Sequence, residues 1–149
     1  MSKLAAIKVS TNARIVVIVS AMKKKILVMD DDPSICKICT LLLNRIGYDV
    51  DTAPSGEEAV SLFSKSLKSK TPYLAVILDL TVQTGMGGLE TVKKLRALDP
   101  SVYAIMASGS SVDTMIASYQ AHGFKAVLPK PFRLQDITEC MQNIPSSPE

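Results

Sequence analysis

The chain has 149 residues and a mass of 16.1 kDa, which is the size of one ordinary domain. Hydrophobic residues make up 47% of it and charged residues 21%, a composition that excludes a disordered or low-complexity chain. Six of the 17 basic residues lie in the first 25 positions, which hold no acidic residue. From residue 26 onward, 11 basic residues stand against 14 acidic ones, so we expect no nucleic-acid binding.

Residue counts exclude several other classes of protein. Three cysteines are an odd number and too few for a disulfide framework, which favours a reducing compartment and a cytoplasmic location. A single histidine, His122, excludes a multi-histidine metal site. The apolar run at residues 15–19 is far shorter than the roughly 20 residues of a membrane span, so we expect no span.

Residues 1–24 differ in pattern from the rest of the chain. They show no helical periodicity, and the apolar run at 15–19 is followed by lysines at 23–25. That run is too short for the hydrophobic region of a signal peptide. We interpret 1–24 as an N-terminal extension that is flexible or not native, followed by one domain over 25–144 and a tail over 145–149.

From residue 25 onward, strand and helix patterns alternate five times. Short apolar runs predict strands, and apolar residues at helical spacing predict the helices that follow them. The second strand alternates apolar and polar residues, as is typical of an edge strand. The predicted strands are 26–29, 48–53, 73–78, 102–107 and 124–128, and the predicted helices are 33–46, 55–68, 89–98, 111–122 and 134–144.

Two helix starts and one loop carry local signals. Asp32 followed by Pro33 gives an N-cap and a proline at the first helical position. Residues 55–58 (Ser-Gly-Glu-Glu) have the spacing of a capping box. The glycine-rich stretch 85–88 lacks the spacing of a dinucleotide-binding loop, and we interpret it as a flexible turn.

Five strand–helix units predict an α/β fold with a doubly wound, five-stranded parallel sheet. Parallel strands need crossover helices, and right-handed crossovers place those helices on both faces of the sheet. The alternating second strand and the lysine-containing fifth strand suit the two edges. The expected strand order is therefore 2-1-3-4-5, the flavodoxin-like order.

Polar residues follow four of the predicted strands within one or two positions, at the edge where such sheets bind ligands. Because the carboxyl ends of parallel strands share one edge, we expect three carboxylates, one hydroxyl and one ammonium to converge there. These groups belong to Asp30, Asp31, Asp79, Ser108 and Lys130.

The three carboxylates predict a Mg²⁺ site. Neighbouring carboxylates raise one another's pKa values unless a cation neutralises them, and a site with only oxygen ligands suits a hard divalent ion. Asp31 and Asp79 can ligate the ion directly, with the backbone carbonyl of Thr81 as a third ligand. Asp30 would act at the rim of the site or through water.

The same groups predict phosphoryl chemistry. A carboxylate beside Mg²⁺ can attack a phosphoryl group and form an acyl phosphate, and Asp79 is the candidate. Lys130 and the Ser108 hydroxyl would then meet the phosphoryl oxygens and stabilise their charge.

Four segments of the sequence resemble the receiver domain of two-component response regulators. The resemblance extends over residues 25–144, and the stretch 79–88 also resembles receivers attached to hybrid sensor kinases. The four segments are 26–33 (Ile-Leu-Val-Met-Asp-Asp-Asp-Pro), 75–81 (Ala-Val-Ile-Leu-Asp-Leu-Thr), 105–109 (Ile-Met-Ala-Ser-Gly) and 127–132 (Val-Leu-Pro-Lys-Pro-Phe).

This resemblance implies a signalling module that is not an enzyme acting on other substrates. Because little sequence follows residue 144, we expect a stand-alone receiver without an output domain. Asp79 would accept a phosphoryl group from a sensor histidine kinase or a histidine phosphotransfer protein, and Mg²⁺ would be required. Ser108 and Lys130 would couple the phosphoryl group to the face formed by the fourth helix, fifth strand and fifth helix. That face would then bind a downstream protein or a second copy of the chain.

Two positions depart from the family pattern. Many receivers have a Tyr or Phe three residues before the lysine, where this chain has Val127. The predicted switch of Ser108 and Val127 must therefore work without an aromatic ring. Gln83 stands where the family often has a proline.

Two other functions stay open from the residues. An aspartyl-phosphate hydrolase acting on external substrates would need a second acid shortly after Asp79, and residues 80–82 offer none. Cys36 and Cys39 have the C-x-x-C spacing of a thiol redox protein. Cys39, however, falls on the apolar stripe of its helix, which favours core packing.

Overall fold

Parallel strands and flanking helices make up most of the chain from residue 25 onward. The structure, a computed structural model, describes residues 6–9, 15–18, 23–109 and 117–145. The strands are β1 (Ala6–Val9), β2 (Ile15–Ile18), β3 (Lys25–Met29), β4 (Asp49–Ala53), β5 (Tyr73–Asp79), β6 (Ala104–Ser108) and β7 (Ala126–Pro129), and the helices are α1 (Pro33–Arg45), α2 (Gly56–Leu67), α3 (Gly88–Leu98) and α4 (Leu134–Gln142).

Strands β3 to β7 form one sheet in the order β4-β3-β5-β6-β7, and every neighbouring pair is parallel. In terms of the five predicted strand–helix units this is the order 2-1-3-4-5. The predicted fold class is therefore confirmed. Helices α1, α2 and α3 are the crossovers that return the chain to the start of the next parallel strand.

The two faces of the sheet have separate apolar cores because alternate strand residues point to opposite sides. On β3, Ile26 and Val28 belong to the core under α1 and α4, whereas Leu27 and Met29 belong to the core under α2 and α3. Burial on both faces explains why residues 26–29 of β3 and 73–78 of β5 are continuously apolar. The helical residues of these cores include Cys39, Leu43, Ile137 and Met141 on one face and Ala59, Phe63, Val92 and Leu95 on the other.

The starts of α1 and α2 differ from one another. At α1, the Asp32 side chain accepts a hydrogen bond from Ser34 N–H at 2.9 Å, as its N-cap pattern predicts. At α2, Ser55 is the N-cap residue but makes no side-chain capping bond, so the capping-box prediction is wrong. The first turn of α2 instead contacts the loop after β5, where Gly56 N–H donates to the Met86 carbonyl.

Two predicted regions lie wholly or partly outside the described residues. Within 1–24, β1 and β2 form a separate antiparallel pair, and the proposed boundaries of extension, domain and tail stay predictions. The fourth predicted helix, 111–122, is described only from residue 117, and 118–123 form successive turns. None of the described helices has the length and apolar character needed to cross a membrane.

Candidate functional site

The carboxyl ends of the central strands bring distant parts of the sequence together. Asp79 is the last residue of β5, and Asp30 directly follows β3. The parallel register pairs Met29 with Leu78, so the next residues of the two strands lie side by side. Lys130 follows β7, and its backbone N–H donates to the carbonyl at the end of β6.

Asp30, Asp31 and Asp79 form what we call the acidic cluster. One carboxylate oxygen from each lies within 4.8 Å of the others. Asp30 and Asp79 are 4% and 5% exposed, and Asp31 is half-buried. The cluster lines an open cavity of about 420 Å³, with Thr81 and Lys130 also in its wall.

Lys130 bridges the two buried carboxylates. Its Nζ lies 2.6 Å from Asp30 Oδ2 and 3.1 Å from Asp79 Oδ1. The three carboxylates of the acidic cluster and the Lys130 ammonium together leave an excess of two negative charges. That excess, together with a ligand set made only of oxygens, fits a hard divalent cation such as Mg²⁺.

Asp30 lies deeper than the sequence predicts. We expected it either at the rim of the site or acting through water. A rim position is wrong, because its side chain is 3% exposed and is bound directly to Lys130. Its Oδ1 also accepts a hydrogen bond from Asp32 N–H at 2.9 Å. These two contacts hold the Asp30 carboxylate at the buried side of the acidic cluster.

The loop after β5 supplies backbone donors to the other two carboxylates. Thr81 N–H lies 3.4 Å from Asp79 Oδ1, and Gln83 N–H donates to Asp31 Oδ2 at 2.8 Å. Thr81 is exposed at the cavity, where its carbonyl was predicted to serve as a ligand. No sequence pattern predicts the contact between Gln83 and Asp31, because a backbone donor can be any residue.

The two predicted switch residues, Ser108 and Val127, have other partners than the acidic cluster. Ser108 ends β6 and is 4% exposed, and its Oγ donates to the Gly109 carbonyl at 2.9 Å. Val127 is half-buried on β7 and packs against the core under α2 and α3. Among the described residues, neither one lines the cavity of the acidic cluster.

A sequence model described as the response regulator receiver domain matches residues 26–142, which is most of the chain. The chain belongs to the response regulator receiver domain family. The resemblance seen in the sequence is thereby confirmed. The further likeness of residues 79–88 to receivers of hybrid kinases is not tested by this match.

Curated relatives of this receiver domain agree with the assignment. The response regulator receiver protein Anae109_2439 of Anaeromyxobacter is 29% identical over 78% of this chain, which spans 46% of that relative. The transcriptional regulatory protein ZraR of Salmonella typhimurium is 33% identical over 80% of this chain, which spans 26% of it. The sporulation initiation phosphotransferase F of Bacillus subtilis is 27% identical over 81% of this chain, which spans 93% of it. This chain thus spans less than half of the first two proteins.

Solved structures share the fold of this receiver. The chemotaxis protein CheY4 of Vibrio cholerae has a TM-score of 0.71 and 26% identity, and the match covers 83% of this chain and 99% of CheY4. A response regulator structure from Chloroflexus aurantiacus has a TM-score of 0.73 and 27% identity, with 82% and 97% covered. Both support a CheY-like, flavodoxin-like fold.

The charges within the receiver's site shift the pKa values of two of its groups. Burial raises the pKa of Asp79, the neighbouring Asp30 charge adds to that shift, and Lys130 opposes it. Burial also tends to lower the pKa of Lys130, but its hydrogen bonds to Asp30 and Asp79 outweigh this and raise that pKa. Lys130 is therefore an ammonium at neutral pH.

The two cysteines with redox spacing are poor nucleophiles in this receiver. Burial raises the pKa of Cys36 to about 11 and that of Cys39 to about 12. The Cys36 thiol donates to the Asp30 carbonyl at 3.3 Å, and Cys39 is a buried core residue. Because the thiolate is the reactive form, both observations count against thiol redox chemistry.

Sequence reasoning missed one residue next to the receiver's site. Glu57 Oε1 accepts a hydrogen bond from Met86 N–H at 2.6 Å, across 29 residues of sequence. The sequence pattern places Glu57 only within a capping box. An exposed acid in the first turn of a helix is ordinary, so its partner in the β5–α3 loop could not be read from the pattern.

Proposed function

We propose that this receiver domain accepts a phosphoryl group on Asp79 from a phosphohistidine of a partner protein. One observation carries the proposal: the Asp79 carboxylate is buried at the end of β5, 3.1 Å from the Lys130 ammonium and within 4.8 Å of the carboxylates of Asp30 and Asp31. Burying a carboxylate costs free energy, and titratable groups buried in this way beside other charges are concentrated at functional sites.

The proposed reaction uses one oxygen of Asp79 as the nucleophile. Among the described residues, the hydrogen bonds to this carboxylate go to Oδ1, from Lys130 and Thr81 N–H, which leaves Oδ2 for attack. An oxygen–phosphorus bond forms as the bond between phosphorus and the partner's imidazole nitrogen breaks. The electron pair of the broken bond stays on that nitrogen, and the product on this chain is an aspartyl phosphate.

Lys130 supports the transfer by its charge. Its ammonium contacts Asp79 directly and would meet the phosphoryl oxygens as the group arrives. The Ser108 hydroxyl donates to Gly109, so it must rotate away from that carbonyl to reach the new group. We propose that this rotation, together with a shift of Val127, passes the signal on.

The acidic cluster would hold Mg²⁺. We propose Asp31, Asp79 and the Thr81 carbonyl as protein ligands, with Asp30 acting through water while it binds Lys130. The bound ion would supply positive charge beside the transferring phosphoryl oxygens. The excess of two negative charges that remains after Lys130 is counted supports this assignment.

The output of this receiver is proposed to be altered protein binding. A phosphoryl group adds about −1.5 to −2 charges at Asp79, which changes the electrostatic interactions of Lys130 with Asp30 and Asp79. We propose a sensor histidine kinase or histidine phosphotransfer protein as donor, a downstream protein or a second copy of the chain as target, and the cytoplasm as location. We also propose that the domain acts as a stand-alone receiver and that it is related to the receivers of hybrid sensor kinases.

Phosphorylation by a small-molecule donor tests the proposal. The protein is incubated with acetyl phosphate and MgCl₂, and its intact mass is measured. We expect the mass of one phosphoryl group to be added, to be lost in hydroxylamine, and to be absent from Asp79→Asn. Asp51→Asn, at the opposite end of the sheet, is the matched control and should be phosphorylated. Uptake by Asp79→Asn, or none by the wild type, would overturn the proposal.

A further inference from the structure

The loop between β5 and α3, residues 80–87, is fastened to the first turn of α2. Gly56 N–H donates to the Met86 carbonyl at 2.9 Å. Met86 N–H donates to Glu57 Oε1 at 2.6 Å. Both backbone polar groups of Met86 are thus bound by two consecutive residues of α2, which holds this part of the loop at two points.

The same loop reaches the acidic cluster a few residues earlier. Gln83 N–H donates to Asp31 Oδ2 at 2.8 Å, and Thr81 N–H approaches Asp79 Oδ1 at 3.4 Å. Only two residues separate Gln83 from Met86, so a displacement of one end of this segment displaces the other. The first turn of α2 is therefore mechanically connected to the carboxylates.

Glycines lie on both sides of the contact between the loop and the helix. A Cβ on Gly56 would collide with Thr91 Oγ1 and would lie 2.8 Å from Met86 Cβ. Gly85 has φ +93°, a backbone conformation that favours glycine. It also faces the Glu57 carboxylate, because a Cβ added at Gly85 would lie 2.8 Å from Oε2. These approaches show that the loop is packed onto α2 and does not merely pass by it.

The loop needs such a restraint because its own sequence leaves it flexible. Two glycines lie within residues 80–87, and Gln83 keeps the backbone freedom that a proline would remove. A hydrogen bond to a charged acceptor is stronger than one between neutral groups. The amide of Glu57 itself and that of Met86 lower the pKa of Glu57, so this acceptor is a carboxylate at neutral pH.

We propose that Glu57 is a positioning residue for the acidic cluster. By holding Met86 N–H, it keeps the β5–α3 loop in place, so that Gln83 N–H stays on Asp31. Glu57 itself does not line the cavity and touches none of the three carboxylates among the described contacts. The expected effect of Glu57 on Mg²⁺ affinity rests on the proposed function. Its expected effect on the position of the loop does not.

Amide exchange measured by NMR tests the effect on the loop, without Mg²⁺ or a phosphoryl donor. In Glu57→Ala, we expect the Gln83 amide to exchange about threefold to tenfold faster, while the amides of β3 keep their rates. Glu57→Gln keeps an oxygen acceptor and should restore most of the protection. Glu58→Ala is the matched control, because it removes the same charge from the same turn of α2.

Calorimetric titration with MgCl₂ then tests the effect on the cluster. We expect the dissociation constant to rise by a similar factor in Glu57→Ala and to stay unchanged in Glu58→Ala. Unchanged Gln83 exchange in Glu57→Ala, an equal change in Glu58→Ala, or faster exchange with unaltered Mg²⁺ affinity would each overturn the positioning role. Failure of the wild type to bind Mg²⁺ would instead overturn the proposed function, and the exchange rates would still decide whether Glu57 holds the loop.

Discussion

Lys130 and Asp30 are 100 residues apart in the chain, yet the lysine Nζ lies 2.6 Å from Asp30 Oδ2. The same Nζ lies 3.1 Å from Asp79 Oδ1, so one ammonium joins the ends of β3, β5 and β7. The side chains of the two aspartates are only 3% and 8% exposed. Lys130 is therefore the main counter-charge of the acidic cluster when no cation is bound.

Removing this ammonium should destabilise the fold. Lys130→Met leaves two buried carboxylates without their partner, and we expect a loss of about 2–4 kcal/mol in the free energy of unfolding. The loss should be smaller in MgCl₂, since an ion that binds the native carboxylates stabilises the folded state. Urea unfolding with and without MgCl₂ measures both effects. Lys125→Met, which removes an exposed lysine just before β7, should change stability little; an equal loss there would refute the assignment.

Gly88 should be indispensable to the geometry of Asp79. A Cβ at position 88 would lie 2.5 Å from the Asp79 carbonyl oxygen and 3.1 Å from its carbonyl carbon. Since backbone atoms cannot swing aside, Gly88→Ala should lower the free energy of unfolding by about 1–3 kcal/mol. It should also slow phosphorylation by acetyl phosphate, measured by intact mass.

Gly109→Ala is the matched control for that substitution. An added Cβ there meets nothing within 4 Å among the described atoms, and the backbone does not have a positive φ. We expect its unfolding free energy to equal that of the wild type within about 0.5 kcal/mol. Equal destabilisation by both substitutions would show that crowding at Asp79 is not the cause.

The opposite end of the sheet should contribute to stability in a pH-dependent way. Asp51 Oδ2 accepts from Tyr73 Oη at 2.6 Å and lies 3.1 Å from Lys25 Nζ. Burial tends to raise the pKa of Asp51, but these two partners outweigh it, and its pKa is lowered. A carboxyl with a lowered folded-state pKa stabilises the protein above its unfolded pKa of about 3.9, and the contribution is lost as the pH falls through the folded value.

Two variants measure this contribution. We expect Asp51→Asn to cost about 1 kcal/mol or less at pH 7, because the pair is partly exposed, and the difference from the wild type to shrink below about pH 4. Tyr73→Phe should raise the pKa of Asp51 in a carboxyl titration followed by NMR. A difference between wild type and Asp51→Asn that stays constant from pH 7 to pH 3 would contradict the role of these hydrogen bonds.

The cysteines should be slow to react with iodoacetamide. Burial raises the pKa of Cys36 and Cys140 to about 11 and that of Cys39 to about 12. At pH 8 the thiolate fraction is then about 100-fold or more below that of a free thiol, and alkylation should slow accordingly. Mass spectrometry measures the rate, and the same protein in urea supplies the unprotected reference. Rapid alkylation of Cys36 or Cys39 in the folded protein would revive the redox hypothesis.

Local sequence patterns were sufficient to determine the fold and most of the site. Apolar runs that end in Asp30 and Asp79 mark both the strands and the acids that follow them, because a parallel sheet buries its strands and exposes their carboxyl ends at one edge. The order of strands followed from the same periodicities. These features depend on residues that are neighbours in the chain.

Contacts between distant segments were decided only by the tertiary structure. The burial of Asp30 depends on Lys130, which is 100 residues away in the chain. The Ser108 hydroxyl donates to the Gly109 carbonyl, and Glu57 on α2 accepts a hydrogen bond from Met86 N–H in the β5–α3 loop. Each depends on where a side chain or a backbone amide points once the helices have packed. Local propensity carries no information on such directions, because any residue supplies a backbone donor and a surface acid suits many positions.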